Sequence, residues 1–191
     1  DDKGNIRDGD DLMVLFALDM HARGDLSSIV VTSMSNLGLR RAMAEAGVEI
    51  IETDVGDRNV LVALEEHDLP FGGEQSGHLI FRNELSTGDG MLSARHVCEL
   101  VMRHGSLAQQ ADAAWTRAPQ VLINLARDAY DAEGTLADID EELAQRSLSR
   151  KDIRLVIRPS GTEPLVRVMI EAADGDLVAA LASRVRSRYE N

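Results

Sequence analysis

Residues 153–172, "IRLVIRPSGTEPLVRVMIEA", place two apolar runs on either side of a polar loop that contains two prolines. Runs of this length, rich in Ile, Leu and Val and separated by turn residues, predict two neighbouring strands. A short hairpin needs only two residues such as Asn-Gly, whereas residues 158–164 offer more hydrogen-bond donors than a turn requires. We therefore expect two strands whose connecting loop binds a ligand with acceptor oxygens.

The sequence around these strands predicts a small α+β unit over residues 119–191. A further strand is predicted at 119–126, "PQVLINLA", and helices are predicted at 136–147 and 176–189. A unit with three predicted strands and two predicted helices favours an antiparallel sheet with its helices on one face.

Residues 1–118 follow a different pattern, in which strands and helices alternate. Predicted strands cover 27–33, 48–53 and 78–81, and predicted helices cover 12–24, 37–47, 57–68, 91–105 and 106–115. The helix at 37–47 has the clearest ends, because Asn36 is a good N-cap and Gly47 a good C-cap. Alternation of this kind predicts an α/β domain, a mixed sheet covered by helices.

Composition and charge exclude several classes of partner. The chain has 191 residues, 44% of them hydrophobic, which suffices for two modest cores. Its formal net charge of −13 argues against nucleic acid and against an anionic membrane surface. Residues 119–191 carry 10 basic against 13 acidic residues, so this part repels a small anion least. No run of about 18 apolar residues is present.

The single cysteine, Cys98, excludes an internal disulfide and favours a cytoplasmic protein. Cys98 shares a helical phase with Met91, Ala94 and Val101, so we expect it to be packed rather than reactive.

The loop at 158–164 has the composition of a phosphate site. Guanidinium groups present forked donors to phosphate, hydroxyls add further bonds, and glycine lets backbone N–H groups converge on one anion. The candidate phosphate-binding residues are Arg158, Ser160, Gly161, Thr162 and Arg167. The alternative is a rigid turn in which Arg158 pairs with Glu163.

A second candidate site lies at residues 71–81, "FGGEQSGHLIF". A carboxylate and a hydroxyl on a glycine-supported loop suit adjacent sugar hydroxyls, so Glu74 and Ser76 are candidate sugar contacts. Gln75, His78 and, from residues 55–60, Arg58 are further candidates. The alternatives are a turn with a solvated Glu74, a structural hydrogen bond for His78, and a salt bridge from Arg58 to Asp54 or Asp57.

Five motifs together resemble the phosphoglucosamine mutases of the α-D-phosphohexomutase family. They are "MSNLGL" at 34–39, "VGDRNV" at 55–60, "GGEQSGH" at 72–78, "STGDG" at 86–90 and "RPSGTEP" at 158–164. The resemblance implies the C-terminal half of a four-domain enzyme. Residues 1–118 would be the sugar-binding third domain with a short tail of the second, and residues 119–191 the phosphate-binding fourth domain.

The resemblance implies interconversion of glucosamine 6-phosphate and glucosamine 1-phosphate through a phosphoserine enzyme and a bisphosphorylated sugar. Glu74 and Ser76 would contact the sugar, and the loop beginning at Arg158 would hold the phosphate remote from the reacting end. The substrate partner would be a hexosamine phosphate. Alternatives are a phosphomannomutase or phosphoglucomutase of the same family, or a sugar-phosphate binding protein without catalysis. The family commonly has Tyr where Asn59 stands, which leaves the role of that segment open.

Two family motifs are absent from these residues, the serine loop T-x-S-H-N-P and the metal loop D-G-D-G-D-R. By the resemblance both belong to the N-terminal half of the same enzyme, which would also bind Mg²⁺. No metal site is expected in this chain, and we expect it to be inactive alone. Asp8, Asp10 and Asp11 directly precede a predicted helix, so they are interpreted as capping residues.

Overall fold

The structure, a computed structural model, describes residues 1–190, and its chain divides into two units, Asp1–Arg117 and a second that begins at Ala118. Among these residues no helix is long and apolar enough to cross a membrane.

The sheet of the first unit is built around β1, Ser28–Thr32, whose five residues are all buried. Strand β1 pairs in parallel with β2, Glu49–Thr53, and with β3, Phe71–Gly73, and β3 pairs antiparallel with β4, Leu79–Phe81. The spatial order is β2-β1-β3-β4. A fully buried parallel strand requires cover on both faces of the sheet.

Helices provide that cover. They are α1 (Gly9–Ala22), α2 (Leu37–Ala46), α3 (Asp57–Glu66), α4 (Gly90–His104) and α5 (Leu107–Ala114). Successive side chains of β1 point to opposite faces. Ile29 and Val31 join an apolar cluster with α1 and α2, whereas Val30 joins a separate cluster with α3. The predicted helix-covered mixed sheet is therefore confirmed.

The predicted ends of α2 are also confirmed. The Asn36 side chain accepts a hydrogen bond from the Gly38 N–H at 2.8 Å, and Gly47 closes the helix with φ of 76°. Positive φ is a conformation that glycine adopts at little cost.

The second unit contains β5 (Gln120–Ala126), α6 (Ala132–Gln145), β6 (Ile153–Pro159), β7 (Leu165–Ala172) and α7 (Gly175–Ser187). Strand β7 lies between β5 and β6 and is antiparallel to both. Both helices share one apolar cluster with Ile123, Val168 and Ile170. This is the predicted α+β arrangement, and the predicted pair of strands around the loop at residues 158–164 is present as β6 and β7.

Two sequence-based expectations are wrong. Strand β3 was not predicted, because its three residues include two glycines and resemble a loop. Cys98 is exposed rather than packed. The exposed residues Met91 and Met102 lie close to Cys98 in helical phase on α4, so the predicted apolar stripe exists but is not buried within this unit.

Candidate functional site

The first candidate site is the turn between β3 and β4, residues 74–78, which we call the sugar loop. The Glu74 N–H donates to the His78 carbonyl and the Gly77 N–H donates to the Glu74 carbonyl, both at 3.0 Å. Gly77 has φ of +96°, which disfavours any other residue. These bonds give the loop a defined backbone conformation.

Glu74 is the buried carboxylate of this loop, with 7% of its surface exposed. Its Oε1 accepts a hydrogen bond from the Gly56 N–H at 2.9 Å. Gly56 is the N-cap of α3 and has no side chain to cap the helix. Glu74 therefore caps α3 from a neighbouring loop, where the helix dipole also favours a negative charge.

His78 lies close both to the second carboxylate oxygen of Glu74 and to the Ser76 hydroxyl. His78 Nδ1 lies 3.5 Å from Glu74 Oε2 and 3.2 Å from Ser76 Oγ. Ser76 and His78 are exposed, whereas Gln75 is half-buried. The loop thus combines an anionic acceptor, a hydroxyl and an imidazole that lies within 3.5 Å of the other two, a set able to bind vicinal hydroxyls.

Arg58 lies in the first turn of α3, the helix that Glu74 caps. Its side chain is exposed and forms no ion pair with any carboxylate in residues 1–190. The alternative salt bridge to Asp54 or Asp57 is therefore absent, and only the Arg58 N–H contacts Asp57, at 2.7 Å.

The predicted capping role is confirmed for Asp8, the N-cap of α1, and for Asp11 in its first turn, but not for Asp10. Asp8 accepts bonds from the N–H groups of Asp10 and Asp11, and Asp11 completes a capping box with the Asp8 N–H. Arg117 Nη2 lies 2.6 Å from Asp8 Oδ1, and the Trp115 indole donates to Asp11 at 3.1 Å.

Asp10 is the buried member of this group. Its side chain is inaccessible to solvent, and Oδ2 accepts the Asn36 N–H at 3.0 Å. Burial raises the pKa of Asp10 from 3.8 to about 6, with the Asn36 hydrogen bond acting in the opposite direction.

These aspartates do not fit a magnesium site. Several of their oxygens accept from N–H groups or lie near Arg117, and Asp10 Oδ1, which has no hydrogen-bond partner in the described part of the chain, is fully buried, whereas Mg²⁺ requires accessible carboxylate oxygens in octahedral geometry. Within residues 1–190 no group of three or more His, Cys, Asp or Glu residues is placed to hold a metal ion.

The second candidate site is the loop between β6 and β7. Arg158 and Arg167 are directly opposite each other in the register of these strands. Like charges in this position are destabilising unless an anion compensates them. Glu163 supplies one such charge, 2.8 Å from Arg167 Nη2.

Sequence reasoning missed Arg127, which follows β5 and supports this loop. Its Nη2 donates to the Ser160 carbonyl at 2.7 Å, and its N–H donates to the Pro164 carbonyl at 3.0 Å. Ser160 is buried, and its N–H closes the loop by donating to the Leu165 carbonyl at 2.8 Å. The only signal in the sequence was a basic residue at the end of a predicted strand.

Gly161 and Thr162 lie at the exposed tip of the loop. A Cβ at Gly161 would meet nothing within 4 Å, and its φ lies outside the left-handed region. Neither the backbone conformation nor the surrounding space therefore demands glycine at this exposed position.

Comparison with known proteins gives two family matches. A family model described as phosphoglucomutase/phosphomannomutase, alpha/beta/alpha domain III, matches residues 8–118. A second, described as the phosphoglucomutase/phosphomannomutase C-terminal domain, matches residues 122–188.

Curated relatives are similar over almost the whole chain. A phosphoglucosamine mutase of Thermobifida fusca is 42% identical over 95% of this chain and 41% of its own length. One of Thermoanaerobacter sp. is 39% identical over all of this chain and 44% of its own length. The chain thus spans about two fifths of the length of the curated relatives it matches.

Among solved structures, N-acetylphosphoglucosamine mutase of Aspergillus fumigatus, in complex with GlcNAc-6P and magnesium, has a similar fold. The TM-score is 0.74 at 23% identity, covering 99% of this chain and 48% of that one. At this level of identity the likeness concerns the fold alone.

Proposed function

The chain belongs to the phosphoglucomutase/phosphomannomutase family, and on that premise we propose that it forms the sugar- and phosphate-contacting part of a phosphoglucosamine mutase. Relatives of that name at 39–42% identity support the choice of glucosamine 6-phosphate and glucosamine 1-phosphate as substrate and product. The phosphoryl carrier and the Mg²⁺ ligands would be supplied by residues other than these 191.

In this proposal the sugar loop binds hydroxyl groups. Glu74 Oε1 is already bonded to the Gly56 N–H, so Oε2 is the oxygen that accepts a sugar hydroxyl. Ser76 donates to or accepts from a neighbouring hydroxyl, and His78 orients the Ser76 hydroxyl through Nδ1. Gln75 and Arg58 are additional contacts of the same substrate.

The loop between β6 and β7 binds the phosphate that does not react. Arg158 and Arg167 provide forked donors, and Ser160, Gly161 and Thr162 provide hydroxyl and N–H donors. The observation that carries the proposal is the direct opposition of Arg158 and Arg167 in the register of β6 and β7, because it brings two arginines, each able to bind phosphate through forked donors, to the loop end of the strand pair. Phosphoryl transfer depends on this kind of positioning and charge neutralisation.

The test is an assay of the complete gene product that contains these residues, with glucosamine 6-phosphate, mannose 6-phosphate and glucose 6-phosphate as substrates. We expect the highest kcat/KM with glucosamine 6-phosphate. A preference for mannose or glucose phosphate would establish the alternative mutase of the same family. Binding without turnover of any of them would establish a binding protein instead.

Arg158→Ala and Arg150→Ala form a matched pair for this assay. Both remove one guanidinium, but Arg150 lies before the start of β6 and pairs with Asp140 at 2.6 Å, at the other end of the strand from Arg158. Only Arg158→Ala is expected to weaken substrate binding. Equal effects of the two changes would refute the assigned phosphate site.

A further inference from the structure

Within residues 1–190, three helices begin with the pair Asp-Gly, in which aspartate is the N-cap and glycine the first helical residue. They are α1 with Asp8 and Gly9, α4 with Asp89 and Gly90, and α7 with Asp174 and Gly175. The surroundings of the glycines differ. A Cβ at Gly90 would meet nothing within 4 Å, and one at Gly175 would make ordinary contact with Pro119 at 3.7 Å.

Gly9 has no such space, because the sugar loop lies directly against it. A Cβ at Gly9 would lie 2.8 Å from both the Gln75 carbonyl oxygen and the Gly77 nitrogen, and closer still to the Glu74 carbonyl oxygen. All three are backbone atoms, which cannot rotate away as a flexible side chain can. The Gly9 N–H also donates to the Gln75 carbonyl at 3.0 Å.

The start of α1 is anchored by side-chain bonds from several parts of the first unit. Beside the capping box, Asp10 is bonded to the Asn36 N–H, Asp11 to the Trp115 indole and Asp8 to Arg117. The sugar loop is exposed from residue 76 to residue 78. A side chain at Gly9 would therefore displace the loop rather than the helix.

We propose that Gly9 is a positioning residue for the sugar loop: because it lacks a side chain, the turn from Glu74 to Gly77 rests on the backbone of α1. This inference deepens the proposed function and rests on it for its effect on catalysis. The turn is then held from two sides, by Gly9 against its backbone and by the Gly56 N–H against the Glu74 carboxylate. Moving the backbone moves the carboxylate and Ser76 together.

The experiment compares Gly9→Ala with Gly90→Ala in the complete gene product. Both changes add one methyl group to the first residue of a helix, directly after an aspartate N-cap, so they match in helix propensity. They differ in that the methyl group at position 9 would clash with the sugar-loop backbone, whereas the one at position 90 would contact nothing within 4 Å. We expect Gly9→Ala to lower kcat/KM for glucosamine 6-phosphate by about 100-fold, as for a misplacement of about 1 Å. We expect Gly90→Ala to stay within about twofold of the unaltered protein, since surface changes usually alter little.

Amide NMR shifts give a readout that a general loss of stability would not change. In Gly9→Ala the amides of Gln75, Ser76 and Gly77 should shift, while the shifts that inorganic phosphate induces between Arg158 and Thr162 should be retained. If Gly9→Ala is as active as Gly90→Ala, or if the loop amides do not shift, the inference is wrong. If the unaltered protein turns over none of the sugar phosphates, the proposed function fails, and the loop shifts still decide the role of Gly9.

A measurement on the unaltered protein covers the case in which Gly9→Ala does not fold. Hydrogen exchange of the Gly9 amide should be slow, because it is buried and bonded to the Gln75 carbonyl. The Gly90 amide is the exposed reference at the start of α4. Exchange of Gly9 as fast as that of Gly90 would mean that the loop does not rest on α1, and would overturn the inference.

Discussion

Replacement of Asp10 by Asn is expected to change how the stability of the first unit depends on pH. Asp10 is inaccessible to solvent, and burial raises its pKa from 3.8 to about 6. Between these values the folded chain holds a proton that the unfolded chain has released, so this group makes the free energy of unfolding fall as pH rises. Below pH 3.8 the group is neutral in both states and makes no such contribution.

The size of the effect follows from the two pKa values. At about 1.4 kcal/mol for each pH unit, the rise corresponds to about 3 kcal/mol of destabilisation that is fully present above pH 6. Asn keeps an oxygen that can accept the Asn36 N–H but carries no charge. The stability of Asp10→Asn relative to the unaltered protein should therefore increase by about 2 kcal/mol between pH 4 and pH 7, since part of the destabilisation is already present at pH 4.

The assay is urea unfolding followed by fluorescence of Trp115. This residue is the one tryptophan of the chain and contacts Asp11, so it reports on the first unit. Other carboxyl groups have the opposite pH dependence, for example Asp112, whose pKa is lowered by its hydrogen bond to Arg7. Taking the difference between the variant and the unaltered protein removes their contribution.

Asp176→Asn is the matched control, because Asp176 is the residue equivalent to Asp10 in α7 but is exposed and lies in the other unit. It should leave the Trp115 transition unchanged at every pH. A difference between Asp10→Asn and the unaltered protein that stays constant from pH 4 to pH 7, or that decreases, would refute the burial argument.

Three further predictions concern the proposed function. In the complete gene product, Glu74→Ala should lower kcat/KM by about 10- to 150-fold, the equivalent of one hydrogen bond to a charged group. Gln75→Met should change kcat/KM little. Equal small effects of the two changes would mean that the sugar loop is wrongly assigned. Arg158→Ala should weaken sugar-phosphate binding by roughly 1.5 to 3 kcal/mol, and Arg158→Lys should recover only part, because the fork is lost; unchanged kcat and KM in a folded variant would contradict this. The 191-residue chain by itself should not turn over glucosamine 6-phosphate, because positioning groups without a phosphoryl carrier cannot divide the transfer into two steps; measurable turnover by the pure chain would disprove it.

Local signals in the sequence were sufficient for most of the elements. Asn36 and Gly47 fixed both ends of α2, since capping depends on residues next to each other in the chain. Strand β3 could not be found in the same way, because Gly72 and Gly73 have low strand propensity and the strand is stabilised by its neighbours β1 and β4.

Periodicity failed for Cys98 for a physical reason. A helical phase shows which residues share a face, but it does not show whether another element covers that face. Met91 and Cys98 therefore have the helical spacing of core residues although both are exposed to solvent.

The motifs at 72–78 and 158–164 indicated the residues of the two candidate sites, but not the hydrogen bonds that hold these residues in place. The bond from Gly56 to Glu74 joins residues 18 positions apart, and the bond from Arg127 to Ser160 joins residues 33 positions apart. Both depend on the folded sheet and leave no local pattern in the sequence. The phosphate and sugar roles of these loops remain predictions until the variants are measured.

The capping of α3 by Glu74 has a consequence for how this site can evolve. The carboxylate is held by the backbone N–H of Gly56, and a backbone group is retained whatever side chains surround it. The exposed side chain of Arg58 can then vary without moving Glu74. If the proposed function holds, substrate preference can diverge through this position while the hydroxyl-binding geometry is inherited unchanged.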